Sequence, residues 1–214
     1  NCVFEGTDRG IRMKTMRGRG GVVEDIRISN IVMRNIVGEG IVMNMRYQPS
    51  EIEPISERTP AFRKIHISNV DIVDAKKGIA IYGLEEQSID EISFSDLSIK
   101  AENGIEANYA ENIIFDNIRL YTKTLMPIKL DKCEKISFSQ IQLLNPSEES
   151  CGFNLTDCNT IKISDCFQTD KMKSFLKFND KCLNLYLTNN ILPGVKNIFE
   201  GSDLKKVEQI NNIQ

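Results

Sequence analysis

No apolar run in this 214-residue chain approaches the roughly 18 residues that a bilayer-spanning helix needs, so that kind of membrane anchor is excluded. No charged start followed by an apolar segment marks a signal peptide in the residues present. Charge of one sign is also lacking: with 27 Lys and Arg against 30 Asp and Glu the formal net charge is -3, which argues against a general nucleic-acid or membrane-surface role. Histidine is nearly absent. The one copy, His66, alternates with Ile65 and Ile67 and reads as a solvent-facing strand residue with no catalytic part. The six cysteines lack the C-x2-C spacing of zinc sites and the density of a disulfide scaffold. No metal and no cofactor is implied.

What is present is a repeat. Segments such as VEDIRISNIVMRNI from Val23, FRKIHISNVDIVDA from Phe62 and AENIIFDNIRLYTK from Ala110 share one pattern. Anchored on their fourth residue, seven such segments begin at Ile26, Ile65, Ile92, Ile113, Ile136, Ile161 and Leu185, with steps of 39, 27, 21, 23, 25 and 24. A period in the low to middle twenties with one insertion marks a solenoid, whose units bury their apolar faces only by stacking. Within each unit the apolar residues alternate, which is strand periodicity. A second strand recurs between the anchors: GIRMK from Gly10, GIVMN from Gly40, GIAIY from Gly78, GIEAN from Gly104, PIKLD from Pro127, GFNLT from Gly152 and FLKFN from Phe175. The glycine before most of them suits a tight corner with positive φ. The Leu-rich consensus of leucine-rich repeats is missing. The expected fold is all-β, a right-handed parallel β-helix of about seven coils, forming a single domain over residues 1–214.

Three columns follow from that register. Asn30, Asn69, Asp96, Asn117, Gln140, Asp165 and Asn189 fall four residues after each anchor and are expected to bond along a corner, in a structural role. Cys133, Cys158 and Cys182 fall three residues before theirs, so they should stack as buried thiols, mostly free, with one adjacent-coil disulfide sterically allowed. In GIRMK, Ile11 and Met13 point inward and Arg12 and Lys14 outward. The step from Ile11 to Ile41 places Val42 and Asn44 beside them, with Arg46 and Tyr47 at the strand's end and Ala80 and Tyr82 one coil on. A guanidinium that bonds carboxylates in bidentate fashion, an ammonium, an amide and a phenol make a platform suited to an acidic polymer, with Tyr47 or Tyr82 offering a flat surface to a sugar ring. The other cations of GTDRGIRMKTMRGRGG, namely Arg9, Arg17 and Arg19, are expected mostly to pair with Glu5, Glu24 and neighbouring acids.

The run GTDRGIRMKTMRGRGGVVEDIRISNIVM resembles the glycoside hydrolases of family 28, the polygalacturonases and related pectin-degrading enzymes, and from Asn1 to Tyr47 the resemblance is strong. It implies a β-helix of the pectin-lyase-like kind and inverting hydrolysis of galacturonosyl bonds. Arg12-Met13-Lys14 matches the family's R-I-K motif, which implies that Arg12 and Lys14 bind a uronate carboxylate, and Tyr47 in GIVMNMRY matches a tyrosine of the substrate cleft. With Asn44 these are the candidate substrate-binding residues. The family's N-T-D, D-D and G-H-G do not occur, so no catalytic residue is assigned. Glu24 and Asp25 should diverge, and Glu106 with Asp131 lies several coils from Arg12, so neither pair substitutes.

Two classes remain open. In one the chain is the C-terminal part of a longer, secreted or periplasmic polygalacturonase-like hydrolase, monomeric and inactive alone. In the other it is a non-catalytic β-solenoid that binds acidic polysaccharide. A pectate-lyase mechanism would need clustered acids facing Arg12, and none is seen. The insertion RYQPSEIEPISERTP, residues 46–60, is expected to wall the cleft beside Arg12, and SDLKKVEQINNIQ reads as a polar finish.

Overall fold

The computed structural model describes residues 1–201 and 204–214; Ser202 and Asp203 of the polar finish lie outside the described residues. Alternating Ile, Val and Leu cannot be covered within one short coil, so each coil lays its strands on those of the next, and every strand pairing is parallel. The result is a right-handed parallel β-helix with three faces. Three long strands, Ile26–Asn44, Ile65–Tyr82 and Ile89–Asn108, each run across all of these faces.

The spacing of the anchors is the register of the first face. Ile26 pairs with Ile65, and the row continues through Ile92, Ile113, Ile136, Ile161 and Leu185. It then gains a further rung, because Leu185 pairs with Val207, while on the third face Leu176 pairs with Phe199. The helix therefore has about eight coils, one more than the repeat count. The last coil escapes the pattern because Val207–Ile210 lacks the apolar alternation of the other rungs, having Glu208 and Gln209 between its two apolar residues, and is largely exposed.

The inward side chains form one core. Phe94, Phe115 and Phe138 stack in successive coils with ring centroids 5.0 and 4.7 Å apart and nearly parallel planes. Phe153 and Phe175 continue the row edge-to-face from the opposite side at 5.1 and 5.2 Å. All five are fully buried, and such contacts add about 0.5–1.5 kcal/mol per pair beyond area burial.

The corner between the first and second faces is the expected polar column, and its cause is backbone geometry. Asn30, Asn69, Asp96, Asn117, Gln140, Asp165 and Asn189 all have φ between 51° and 60°, a left-handed conformation that Asn and Asp tolerate best among residues with a Cβ. Their side chains also bond along the axis: the Nδ2 groups of Asn69 and Asn117 donate to the Oδ1 atoms of Asn30 and Asp96 at 2.6 Å. Asn211, at φ 53°, extends the column by donating to Asn189. The glycines that open the third-face strands have another cause. Gly10 and Gly104 are not in the left-handed region; a Cβ on Gly10 would lie 2.2 Å from the Gly40 carbonyl oxygen, and one on Gly104 2.1 Å from that of Pro127. Coil stacking demands these glycines, not turn conformation.

Cys133, Cys158 and Cys182 stack as expected, buried and free, and the Cys158 N–H donates to the Cys182 sulfur at 3.4 Å. The neighbouring Cys133 thiol and burial push Cys158 up to about 12, and the Cys158 thiol and burial push Cys182 up as well. No helix among the described residues is long and apolar enough to cross a membrane.

Candidate functional site

On the third face Ile11 packs into the core while Arg12 and Lys14 point to solvent, with Met13 half-buried between them. Arg12 pairs in register with Val42 and Lys14 with Asn44, and the next coil places Ala80 and Tyr82 there. Tyr47 closes this corner. Its backbone N–H donates to the Thr15 carbonyl at 3.2 Å, and its ring lies over the two cations, with the Lys14 Nζ 4.1 Å and the Arg12 guanidinium carbon 5.4 Å from the centroid. The hydrogen bond from Lys14, reinforced by both positive charges, draws the Tyr47 phenol below its ordinary value.

Neither Arg12 nor Lys14 meets a carboxylate among the described residues. The surrounding cations do. Arg9 pairs with Asp8 at 2.5 Å and with Glu39. Arg17 forms a bidentate pair with Glu86, Nε to Oε1 at 2.5 Å and a second nitrogen to Oε2 at 2.9 Å, and its remaining amine donates to the Ser50 carbonyl at 3.1 Å. The expected pairing thus holds for two of the three outer arginines, but with other acids: Glu24 is taken by Arg63 at 2.7 Å, Glu5 accepts from Asn35, and Arg19 meets no carboxylate. Arg17 and Glu86 lie 69 positions apart and the repeat pattern carried no sign of their meeting. Their side chains are only 12% and 10% exposed, and the arginine holds Glu86 below the usual carboxylate value.

Asn44 is less free than expected. Its Oδ1 accepts the Arg46 backbone N–H at 2.6 Å, which leaves its NH2 group for a ligand. Tyr82 is half-buried and receives the Lys77 ammonium at 2.7 Å; Lys77 also reaches Glu106. Burial pushes the Tyr82 phenol up, opposite to Tyr47. Of the two tyrosines offered by the sequence as sugar surfaces, Tyr47 presents its ring to Arg12 and Lys14, while the Tyr82 ring faces Lys77, whose Nζ is 5.4 Å from its centroid. Arg46, read only as the strand's end, is a hub: its Nε donates to the Gly83 carbonyl at 2.5 Å, another nitrogen reaches Asn108, and its guanidinium lies 4.8 Å from the Tyr109 centroid.

The remaining acids do not form a free pair. Glu106 is bonded to Lys77, and Asp131 accepts from the Asn108 amide at 2.6 Å. His66 is exposed, with its Nδ1 2.5 Å from Ser93 Oγ. Among the described residues no group of His, Cys, Asp or Glu is arranged to hold a metal ion. The insertion is tied to the basic run at several points besides Ser50: the Gly20 N–H donates to the Arg58 carbonyl at 2.7 Å, and Val22–Val23 pairs with Ala61–Phe62 where the chain returns.

Residues 1–102 match the model of the glycosyl hydrolases family 28, and over that stretch the chain is similar to that family. The matched stretch contains Arg12, Lys14, Asn44 and Tyr47, and it stops before Glu106. No curated protein and no solved structure matches the chain.

Proposed function

We infer that the corner formed by Arg12, Lys14, Asn44 and Tyr47 binds the carboxylate of a uronic acid unit, and that the chain is the uronate-binding part of a polygalacturonase-like glycoside hydrolase acting on pectin. The observation that carries this reading is an arginine and a lysine two strand positions apart, both outward and without an acid, in a region where Arg9 and Arg17 each have one. A carboxylate that enters would receive charge-assisted hydrogen bonds from both cations, with Arg12 able to bind it in bidentate fashion. The free NH2 of Asn44 adds a donor, and the Tyr47 ring supplies a flat edge against which a sugar stacks. The insertion 46–60 then serves as the wall of this cleft, held by Arg17 and Arg46.

Inversion of a glycosidic bond needs two carboxyl groups about 6.5–9.5 Å apart across the bond. Glu86, Glu106 and Asp131 are each bonded to a partner of their own, so the catalytic acids are not assigned to them. An acidic-polysaccharide-binding solenoid without catalysis is the second reading, favoured by the same engagement of those acids. Extracellular or periplasmic residence follows from a pectin substrate in either case.

Calorimetric titration with a galacturonate oligomer tests the site. Each charged hydrogen bond is worth about 1.5–3 kcal/mol, so Arg12→Ala and Lys14→Ala should each weaken binding by roughly ten- to a hundredfold. Bound carboxylate also neutralises the cations beneath Tyr47, so its phenol should move back up in the complex. Unchanged affinity in both variants would sink the assignment, and release of reducing ends from polygalacturonate by the full-length natural protein separates hydrolase from binder.

A further inference from the structure

Three of the six cysteines occupy one position of the repeat. The Cys133 carbonyl accepts the Asn159 N–H at 2.9 Å and the Cys158 carbonyl accepts the Leu183 N–H at 3.0 Å, so Cys133, Cys158 and Cys182 sit in register on successive coils, where the third face turns into the first. Earlier coils place Val23, Phe62, Ile89 and Ala110 at this position. An apolar side chain is all that packing asks for there, and three consecutive thiols add a reactivity that packing does not need.

Cys158 is the shared member of the stack. Its N–H donates to the Cys182 sulfur at 3.4 Å, and its thiol interacts with those of both neighbours. The outer two thiols are turned to oxygen acceptors, Cys133 to the Asp131 carbonyl at 3.4 Å and Cys182 to Asn179 Oδ1 at 3.2 Å. Adjacent rungs stand roughly 4.8 Å apart, inside the range of about 4.4–6.8 Å between Cα atoms that a disulfide spans. The surrounding coils are also the ones with the most polar core: Ser150, Ser164, Gln168, Ser174 and Asn190 are all buried, and the Ser150 hydroxyl meets no partner among the described residues. A buried polar group without a partner weakens a core, so a covalent tie has most effect here.

We propose that Cys158 and Cys182 form a disulfide when the chain folds in an oxidising medium, with Cys133 as the reserve thiol that bonds to Cys158 when Cys182 is absent. The co-reactant is a small-molecule disulfide of the glutathione class. One protein thiolate attacks it, which forms a mixed disulfide and releases one small thiol; the second protein thiolate attacks the protein sulfur of that adduct, which forms the Cys158–Cys182 bond and releases the other. Two protons and two electrons leave the protein and are carried by the two released thiols. Contact between the thiols, together with burial, raises Cys158 and Cys182 above the ordinary thiol value in the folded chain. The exchange therefore belongs to the closing of these coils, which then shield the bond from reductant. It is independent of what the Arg12 corner binds, and the stack lies beyond the stretch that matches the family model.

The test refolds the reduced, denatured 214-residue chain in a buffer of glutathione and its disulfide, in a Cys2→Ser background that removes the exposed thiol. Remaining thiols are alkylated after unfolding, and the linked peptides are identified by mass spectrometry. Circular dichroism checks that the coils re-form; where they do not, protein exported through an oxidising compartment is mapped in the same way and judged by the same outcomes. One disulfide joining Cys158 to Cys182 is expected, with a thermal midpoint roughly 5–10 °C above that of the reduced protein, as befits a short closed loop in a chain of this size. Cys158→Ala should abolish both the bond and the shift, Cys133→Ala should leave both, and Cys182→Ala should move the bond to Cys133 and Cys158. Five free thiols in the refolded protein, a glutathione adduct with no internal bond, or a bond and shift that survive Cys158→Ala would each overturn the proposal. Free Cys133 and Cys158 in Cys182→Ala would overturn the reserve role.

Discussion

The bidentate pair of Arg17 and Glu86 is where the position of the Tyr47 wall can be put to a quantitative test. Arg17 joins three segments: its own basic run, the corner of the third coil through Glu86, and the insertion through the Ser50 carbonyl. Arg46, next to Tyr47, is fixed to the same corner through the Gly83 carbonyl. An exposed pair contributes about 0–1 kcal/mol and breaking a buried one costs about 3–5 kcal/mol; side chains 10–12% exposed with two well-aligned bonds fall between, at about 2 kcal/mol. Glu86→Gln keeps the shape and removes the charge, so local opening of residues 46–60 should become about 30-fold more frequent. Hydrogen exchange at the amides of Tyr47, Gly20 and Thr59, which are bonded to Thr15, Arg58 and Ser56 respectively, reads this directly. Amides of the first-face strands should be unaffected. Because Arg17 depresses the Glu86 carboxyl, this support is present above its ordinary value of 4.5 and is lost as pH falls through the lowered one, so wild-type exchange should approach that of the variant only in acid. Unchanged exchange in Glu86→Gln at neutral pH, or a loss of protection spread evenly over the molecule, would refute the clamp.

Three further outcomes are expected. Phe115→Ala, which empties the middle of the aromatic row, should cost about 3–5 kcal/mol in denaturant unfolding, and a loss below about 2 kcal/mol would show that neighbouring coils close the gap. At Asn117, with φ at 51°, the Gly variant should lose only the bond to Asp96, about 1 kcal/mol, while the Val variant adds strain and should be about 2 kcal/mol worse still; equal losses would mean that the corner is held by hydrogen bonding alone. Alkylation at neutral pH should label a single thiol, the exposed Cys2, until the protein is unfolded, because the other five are buried and Cys158 and Cys166 are pushed up to about 12. Rapid labelling of a second cysteine in the folded protein would contradict the buried stack.

The sequence by itself determined the coil register and the direction of most side chains along it. That follows from the solenoid's physics: each coil touches only its neighbours, so every rung repeats the same in-out alternation, and a residue's place can be counted from the nearest anchor. Arg12, Lys14, Asn44 and Tyr82 fell in the counted positions for that reason, as did the Asn column and the three stacked cysteines. What only the tertiary structure decided are contacts made by long side chains across coils and through the insertion. Nothing in the repeat distinguishes Arg17, which closes on Glu86, from Arg12, which meets no acid, because an arginine reaches beyond its own rung and its partner is chosen by the packed surface. The glycines were counted correctly but misread, since the close approach of a carbonyl on the next coil is a property of stacking and not of local conformation. The last coil was missed because Val207–Ile210 is largely exposed and its two apolar residues are split by Glu208 and Gln209, which leaves no alternation to mark an anchor.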